Sequence, residues 1–383
     1  MRADMPWAGY PRSIAPRMTE FAKRSVLYTR GYSLSSYTAK SVAPMLVGRY
    51  PSQMARDGYF FTVWLKENVF LTERLQDAGH RSVAGNGHGY FLPAMGLNQG
   101  FDDYRLLPGT FLDTTGVHDV TSPRLNQLAK DVLSDPDNVS LPDGKRFFAY
   151  FHFLDPHYTY IKHKGHPDFG NGRRDLYDNE IHFTDKWVGD LLDWVAKQPW
   201  ASRTAVIITG DHGEGFGEHG QYRHAYELWE SLVRVPLIIH VPGARPRTIA
   251  DPRSHIDMAP TVLDLMGLPI PADMPGKSLV PEVFGAPTEP RDVLIDLPRC
   301  DLMDRRRALV HGDHKLISFG DDSKFELYDV GRDYAEEREL SRSHPELLQK
   351  LRQRYDRLSG AVETLPVAGA APALKGAPPG RRW

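Results

Sequence analysis

The stretch "VIITGDHGEGFGEHGQYRHAYELWESLVRVPLIIHVPG" (residues 206–243) sets Asp211, His212 and Gly213 directly behind a β-branched apolar run, then places further histidines and glutamates before a second apolar run. Continuous rather than alternating apolar character predicts strands buried on both faces. The ionisable residues then fall in a loop at a strand's carboxyl end, which is where open parallel sheets bind their ligands. An Asp oxygen and a His nitrogen from adjacent residues, with Gly213 allowing a tight turn, suit a divalent cation such as Zn²⁺, Mn²⁺ or Mg²⁺. The alternative reading of these residues alone is a loop Asp capping a helix beside a solvated His.

Working outward, further apolar runs occur at "SVLYT" (25–29) and "RFFAYFHFL" (146–154). Between the latter and the opening stretch, 175–197 carries Ile181, Trp187, Val188, Leu191, Leu192 and Val195 close to helical spacing. Strand, helix, strand predicts an α/β fold with a mostly parallel sheet. The segment 255–271 reads as a helix ended by Gly267. After about residue 290 the pattern changes to the short runs "ALVHG", "HKLISF" and "FELYDV" and a charged helix over 345–358. This predicts a main domain over 1–290, a small C-terminal antiparallel subdomain over 291–365, and a disordered Ala/Pro/Gly-rich tail over 366–383.

Composition narrows the function classes. With 383 residues, 41% hydrophobic and 25% charged, the chain is an ordinary globular protein. Its net charge of -2 gives no electrostatic reason to expect nucleic acid or an anionic membrane as partner. The single cysteine, Cys300, excludes an intrachain disulfide framework and a thiolate metal cluster. No run has the length of a membrane helix, and "MRADMPWAGYPR" lacks the apolar region of a signal peptide, so the chain as written reads as soluble and untargeted.

Two more polar clusters accompany the first. "HFLDPHYTY" (152–160) ends a strand and holds His152, Asp155 and His157 within six residues. Pro156 restricts Asp155 to extended backbone, so the tip is stiff and can aim His157 inward; otherwise the segment is a turn in which Asp155 bonds its own backbone. The hydroxyl-rich "SLSSYTAKSVAPMLVGRYPS" (33–52) leads into a helix from about Ser41 to Val47. A hydroxyl at a helix N-terminus favours a phosphate or sulfate group there, although Ser and Thr also serve as ordinary N-caps.

Together these stretches resemble the sulfatase branch of the alkaline phosphatase superfamily. "GDHGEGFGEHG" with "RVPLI" is similar to the family's metal-site loop and following strand, and "HFLDPHYTY" to its D-P-H-x-P-Y segment. "YDNEIHFTDKWVGDLL", "SHIDMAPTVLDLMGLP" and "FELYDVGRDYAEERELS" resemble its intervening helix, its D-x-x-P-T helix and its C-terminal "ELYDL" strand. The family's C-x-P-S-R-x-x-L-x-x-G element falls on Thr38 through Gly48. Thr38 therefore stands where classical sulfatases carry the Cys or Ser converted to formylglycine, a conversion Thr cannot undergo. The motif's arginine falls on Val42, which leaves Lys40 as the nearby cation to take over its work.

Thr is the nucleophile in relatives that hydrolyse or transfer phosphoryl groups. The resemblance thus implies a Thr38 nucleophile, one divalent metal ion (Ca, Mg, Mn or Zn) held by Thr38, Asp211 and His212, and His157 and His224 contacting ester oxygens or protonating the leaving group. It also implies that "MRAD" begins inside the segment following the family's first strand, whose terminal Asp is a metal ligand. On that expectation the site binds its cation less tightly and the sheet carries a slot. Asp4 is near the lost ligand in sequence but would need a rearranged N-terminus to replace it. An upstream signal peptide or anchor would leave no trace here, so the compartment stays open.

The leading expectation is a metal-dependent hydrolase of a sulfate or phosphate ester on a small molecule, glycan or lipid. The alternatives are a phosphoryl or phosphoethanolamine transferase on an envelope lipid or glycan, and a non-catalytic protein that keeps the fold for binding. The loop over 86–118 is expected to help read the leaving group.

Overall fold

The strands predicted on either side of Asp211 form as β-branched residues dictate, and they sit side by side. The computed structural model describes residues 1–109 and 120–368. Its strands in chain order are β1 (Val26–Tyr32), β2 (Arg81–Asn86), β3 (Asp103–Leu106), β4 (Phe147–His152), β5 (Val206–Thr209), β6 (Gly215–Phe216), β7 (Tyr222–Arg223), β8 (Arg234–His240), β9 (Arg247–Ile249), β10 (Arg253–Ser254), β11 (Val293–Leu297), β12 (Arg306–His311), β13 (His314–Phe319) and β14 (Lys324–Asp329).

One sheet has the order β10-β1-β8-β5, with β9 also pairing β1, and a second has the order β3-β2-β4. Strands β9 and β10 lie parallel to β1, as do β3 and β4 to β2, whereas β8 runs antiparallel to both β1 and β5. Parallel pairing therefore predominates, and β8 is the exception. The edge strands β4 and β5 are half-exposed along their whole length, whereas β8 is buried through its centre. The apolar run "FFAYFH" thus lies on an edge that the sequence pattern reads as central.

Helices cover these sheets. The one predicted over 175–197 spans Arg173–Val195, and the one ending near Gly267 spans Met258–Leu265 after a single 3₁₀ turn. The helix expected from Ser41 starts earlier, at Thr38, and runs to Val47 with Gly48 left-handed at its C-cap. That φ of 72° is why the position favours glycine.

The C-terminal unit is a four-stranded antiparallel meander, β11-β12-β13-β14, followed by the Pro345–Gly360 helix. Its inner face joins the main core, where Val293, Ile295, Ala308 and Ile317 pack with Val42, Leu46 and Trp64. Most of the predicted tail, from 369 on, lies outside the described residues, as does part of the 86–118 loop. No helix among the described residues is long and apolar enough to cross a membrane.

Candidate active site

Three chain segments far apart in sequence deliver one polar cluster. Thr38 is the first residue of its helix, because Tyr37 before it is extended and the helix begins at 38. Asp211 and His212 follow β5, and the turn stays tight because Gly213 N–H bonds the Leu232 carbonyl. A Cβ at Gly213 would come within 2.0 Å of the Ser231 carbonyl oxygen, so only glycine fits this close backbone approach.

The Thr38 hydroxyl donates to Asp211 Oδ2 at 2.7 Å and lies 3.2 Å from His212 Nε2. His212 Nε2 is in turn 3.4 Å from Asp211 Oδ2. His212 Nδ1 donates to the Gly213 carbonyl at 2.8 Å, which fixes the tautomer and leaves Nε2 with its lone pair toward Thr38.

Histidines line the rest of the cluster. The His224 ring lies 4.3 Å from that of His212 and 5.5 Å from that of His157, and its Nδ1 meets Glu214 Oε1 at 3.2 Å. Arg223, Ala225 and Tyr226, which flank His224, all have left-handed φ of 65–75°, and Ala225 N–H is tied to the Ser36 carbonyl. Non-glycine residues held there store backbone strain, which persists where the surroundings over-determine the conformation. His157 donates from Nδ1 to the Tyr158 carbonyl at 2.8 Å, leaving Nε2 as an acceptor.

Electrostatics separate the groups by protonation state. Burial alone would raise the Asp211 carboxyl, but His212, His152, the amino group of Met1 and the Thr38 hydrogen bond outweigh it and hold the acid well below its usual range. Burial pushes His212 down to about 3 and His157 down to about 4. Glu214 is held at about 2, because His224, Tyr160 and His212 overcome the desolvation that opposes ionisation. At neutral pH Asp211 and Glu214 are therefore ionised and His212 and His157 neutral, the forms in which such groups ligate metals. The Met1 amino group, buried beside Asp211, also donates to the His212 carbonyl.

Of the six residues expected at the site, Thr38, Asp211, His212, His157 and His224 come together and Lys40 does not. Two residues beyond Thr38 is about 200° around a helix, so Lys40 points the opposite way. It is fully buried, donates to Thr62 Oγ1 and lies 5.5 Å from the centre of the Trp64 ring. Asp4 is likewise engaged elsewhere, accepting from Arg2 at 3.0 Å and Arg174 at 2.8 Å. Asp155 accepts from Thr121 N–H, Thr121 Oγ1 and Ser122 N–H, which gives it a structural role at the start of the Ser122–Ser134 helix.

Sequence reasoning passed over His88 and His255. The His88 ring is 5.8 Å from that of His157, and its Nδ1 accepts from Tyr90 N–H, so Nε2 carries the proton. His255 is fully buried with Nε2 2.7 Å from Thr209 Oγ1, and its Nδ1 has no hydrogen-bond partner among the described residues. Both stand just past strand ends, at β2 and β10, neither of which the apolar pattern of the sequence had marked as a strand.

The residues fit a divalent ion. A carboxylate oxygen, an imidazole nitrogen and a hydroxyl oxygen 2.7–3.4 Å apart have the spacing of three donors around one cation at about 2.0–2.2 Å. Among the described residues no three His, Cys, Asp or Glu side chains form such a set, so a three-donor site here would need the Thr38 hydroxyl.

Comparison with known proteins gives this arrangement its family. The family model for sulfatases matches residues 1–268, and the one for the C-terminal part of N-sulphoglucosamine sulphohydrolase matches 217–360. The chain belongs to the sulfatase family. It is 30% identical over 185 residues to an N-acetylglucosamine-6-O-sulfatase of Bacteroides thetaiotaomicron, a stretch covering 44% of this chain and 33% of that one. The chain thus spans about a third of that relative's length. In fold it is similar, with a TM-score of 0.77 and 17% identity over 93% of this chain and 95% of the other, to a protein solved with its substrate D-glucosamine-2-N,6-O-disulfate. It is similar also to the phosphonate monoester hydrolase of Silicibacter pomeroyi, with a TM-score of 0.75 and 18% identity over 95% of this chain and 94% of that one.

Proposed function

We propose that this chain is a hydrolase of sulfate or phosphate esters that uses Thr38 Oγ1 as its nucleophile and one divalent ion held by Asp211, His212 and Thr38. The observation that carries the reading is the Thr38 hydroxyl, held 2.7 Å from Asp211 Oδ2 and 3.2 Å from His212 Nε2. An alcohol is too weak an acid to ionise unaided near neutral pH. When bound, the ion supplies positive charge that favours ionisation of that hydroxyl and counters charge on the ester.

The chain's own residues do the rest. Thr38 is the first helical residue, so free backbone N–H groups and the positive end of the helix dipole face the oxygens of a bound ester. Its oxygen attacks sulfur or phosphorus, its proton passes to an acceptor within reach, and the bond to the leaving oxygen breaks. His224, 4.3 Å ring to ring from His212, and His157 beside it are the groups from which a leaving oxygen can take up a proton. An anionic ester beside His157 opposes the burial that keeps this ring neutral, so substrate binding itself arms the proton donor. Water then cleaves the Thr38 ester and restores the hydroxyl.

The hydroxyl at position 38 also favours a second reading, transfer of a phosphoryl-type group to an alcohol in place of water. The fold-level similarity to a phosphonate monoester hydrolase is compatible with chemistry at phosphorus. Aryl sulfate, phosphate monoester and phosphate diester substrates, each assayed with and without added alcohol, decide between these outcomes. Turnover that survives Thr38→Ala removes Thr38 as nucleophile, and alkylated product identifies a transferase.

A further inference from the structure

One short helical turn, Glu230–Val233, carries much of the active site's backbone. Its Leu232 carbonyl accepts from Gly213 N–H at 2.7 Å and its Ser231 carbonyl from Glu214 N–H at 2.9 Å, so the loop that presents Asp211 and His212 is tied to it. Its Val233 carbonyl accepts from Ser33 N–H at 2.9 Å and Ser33 Oγ at 3.1 Å, at the start of the segment leading to Thr38. The same turn is gripped by buried charges that the chemistry above does not use. The fully buried Glu230 carboxylate accepts from the Tyr32 hydroxyl at 3.0 Å and from Lys315 Nζ at 3.2 Å, with Arg234 3.6 Å away. Lys315, also fully buried, stands 3.0 Å from Glu336 Oε1, and Glu336 Oε2 accepts from the Glu230 N–H at 2.6 Å. Lys315 belongs to β13 and Glu336 to the segment after β14, so both come from the C-terminal unit. Side chains alternate along a strand, which puts Lys315 on the same inner face as Ile317 of the main core. An ammonium there is costly unless paired, and here two carboxylates share it.

We propose that Lys315 is a positioning residue for the Asp211–Glu214 loop, acting through Glu230 with Glu336 as its second hold, so that the C-terminal sheet sets the geometry of the active site. The inference rests on the reading of that loop as half of the Thr38 centre. Glu230 is held at both ends, its carboxylate by the Lys315 ammonium and its N–H by the Glu336 carboxylate. That fixes the first residue of the helical turn, and the next two residues supply the carbonyls to which Gly213 and Glu214 are tied. Without the ammonium, two carboxylates face each other in the core and repel. The repulsion is relieved by movement of the Glu230 turn, with its carbonyls, or by uptake of a proton on Glu336, and alkaline pH closes the second route.

The test is amide hydrogen exchange at Gly213 and Glu214 in the full chain at alkaline pH, with the Arg173–Val195 helix as the reference for global opening. It compares the parent, Lys315→Met and Lys315→Met/Glu336→Gln, each checked for folding by circular dichroism. Protection at the two amides is expected to fall at least about tenfold against the reference in Lys315→Met and to recover in the double variant, which removes the unpaired carboxylate. In assays with an aryl sulfate or phosphate ester, kcat of Lys315→Met should fall by about tenfold while KM changes less than about twofold. Protection equal to the parent's would overturn the proposal, and so would a loss that Glu336→Gln does not reverse, since Lys315 would then matter by packing alone. If Lys315→Met does not fold, Glu336→Ala, which removes the acceptor of the Glu230 N–H, should show the same loss, and unchanged protection there overturns the proposal equally. The exchange needs neither metal nor substrate. Turnover that survives Thr38→Ala would therefore end the Thr38 mechanism and leave the exchange result standing.

Discussion

Two buried polar clusters in this molecule are built from similar residues and behave differently. At the junction with the C-terminal sheet, Asp296 accepts from Ser52 N–H at 2.7 Å, Ser52 Oγ at 3.0 Å and Arg307 Nε at 2.7 Å, and Arg307 continues to Ser359 Oγ at 2.7 Å and its carbonyl at 3.0 Å. Every charge there has an opposite charge and several hydrogen bonds. Around Thr38 the balance is otherwise. Ser35, Ser36, Asn86 and His255 are buried with side-chain polar atoms that lack partners among the described residues, and neighbouring imidazoles are held neutral by burial. A saturated network fastens two layers together, whereas one left open keeps donors and acceptors for something else to satisfy.

The largest expected effect tests the open cluster. Thr38→Ala lowers kcat/KM by on the order of 10³-fold or more, while Thr38→Ser keeps measurable turnover; steady-state assays of both check it. Both proteins should stay folded, because removing one hydroxyl leaves the core intact. The saturated cluster predicts the reverse. Arg307→Ala strands the Asp296 carboxylate in the core and costs about 3–5 kcal/mol in urea unfolding, with turnover per folded molecule unchanged.

The pH dependence comes next. Burial depresses His88 to about 3 and His157 and His255 to about 4 in the folded chain, against about 6.5 when unfolded. Above pH 6.5 these rings are neutral in both states. As pH falls from there toward 4 only the unfolded chain takes up the protons, so stability is lost across that window. Urea midpoints at pH 7.5, 6 and 5 should fall in that order, and the slope should flatten in His255→Gln.

The smallest effect concerns Lys40. Desolvation lowers its ammonium to about 7 from an ordinary value of 10.5, with Arg56 adding to the shift. Burying the charge opposes folding fully below pH 7, and the opposition fades as pH rises toward 10.5. Lys40→Met should therefore stabilise the protein by about 1–2 kcal/mol at neutral pH, with no gain near pH 10.5. Turnover should change by less than about twofold. A large loss of turnover would return Lys40 to the active site.

How much of this was legible in the sequence follows from the same contrast. Strand-end placement exposed Asp211, His212 and His157, because that signal is local, whereas Thr38 and His224 were singled out only through the resemblance to the sulfatase motifs. Lys40 was misplaced because sequence proximity stood in for direction: one helical turn separates residues that share a face, and two residues do not. The apolar content of β4 and β5 predicted full burial, whereas both are half-exposed edges of separate sheets, a tertiary outcome that composition does not encode. His255 and His88 escaped notice because an isolated histidine in sequence says nothing of its distance from Asp211. The saturated Asp296 network was equally invisible, since its partners lie up to 244 residues apart.

The central claim, that Thr38 carries the ester group during turnover, has one direct test. The protein is mixed with a sulfate or phosphate ester, quenched in acid before the steady state, digested and mapped by mass spectrometry. A sulfuryl or phosphoryl group on the peptide containing Thr38, absent from Thr38→Ala, is the result this account predicts. Turnover with that peptide unmodified and the group found on a histidine such as His157 would contradict it.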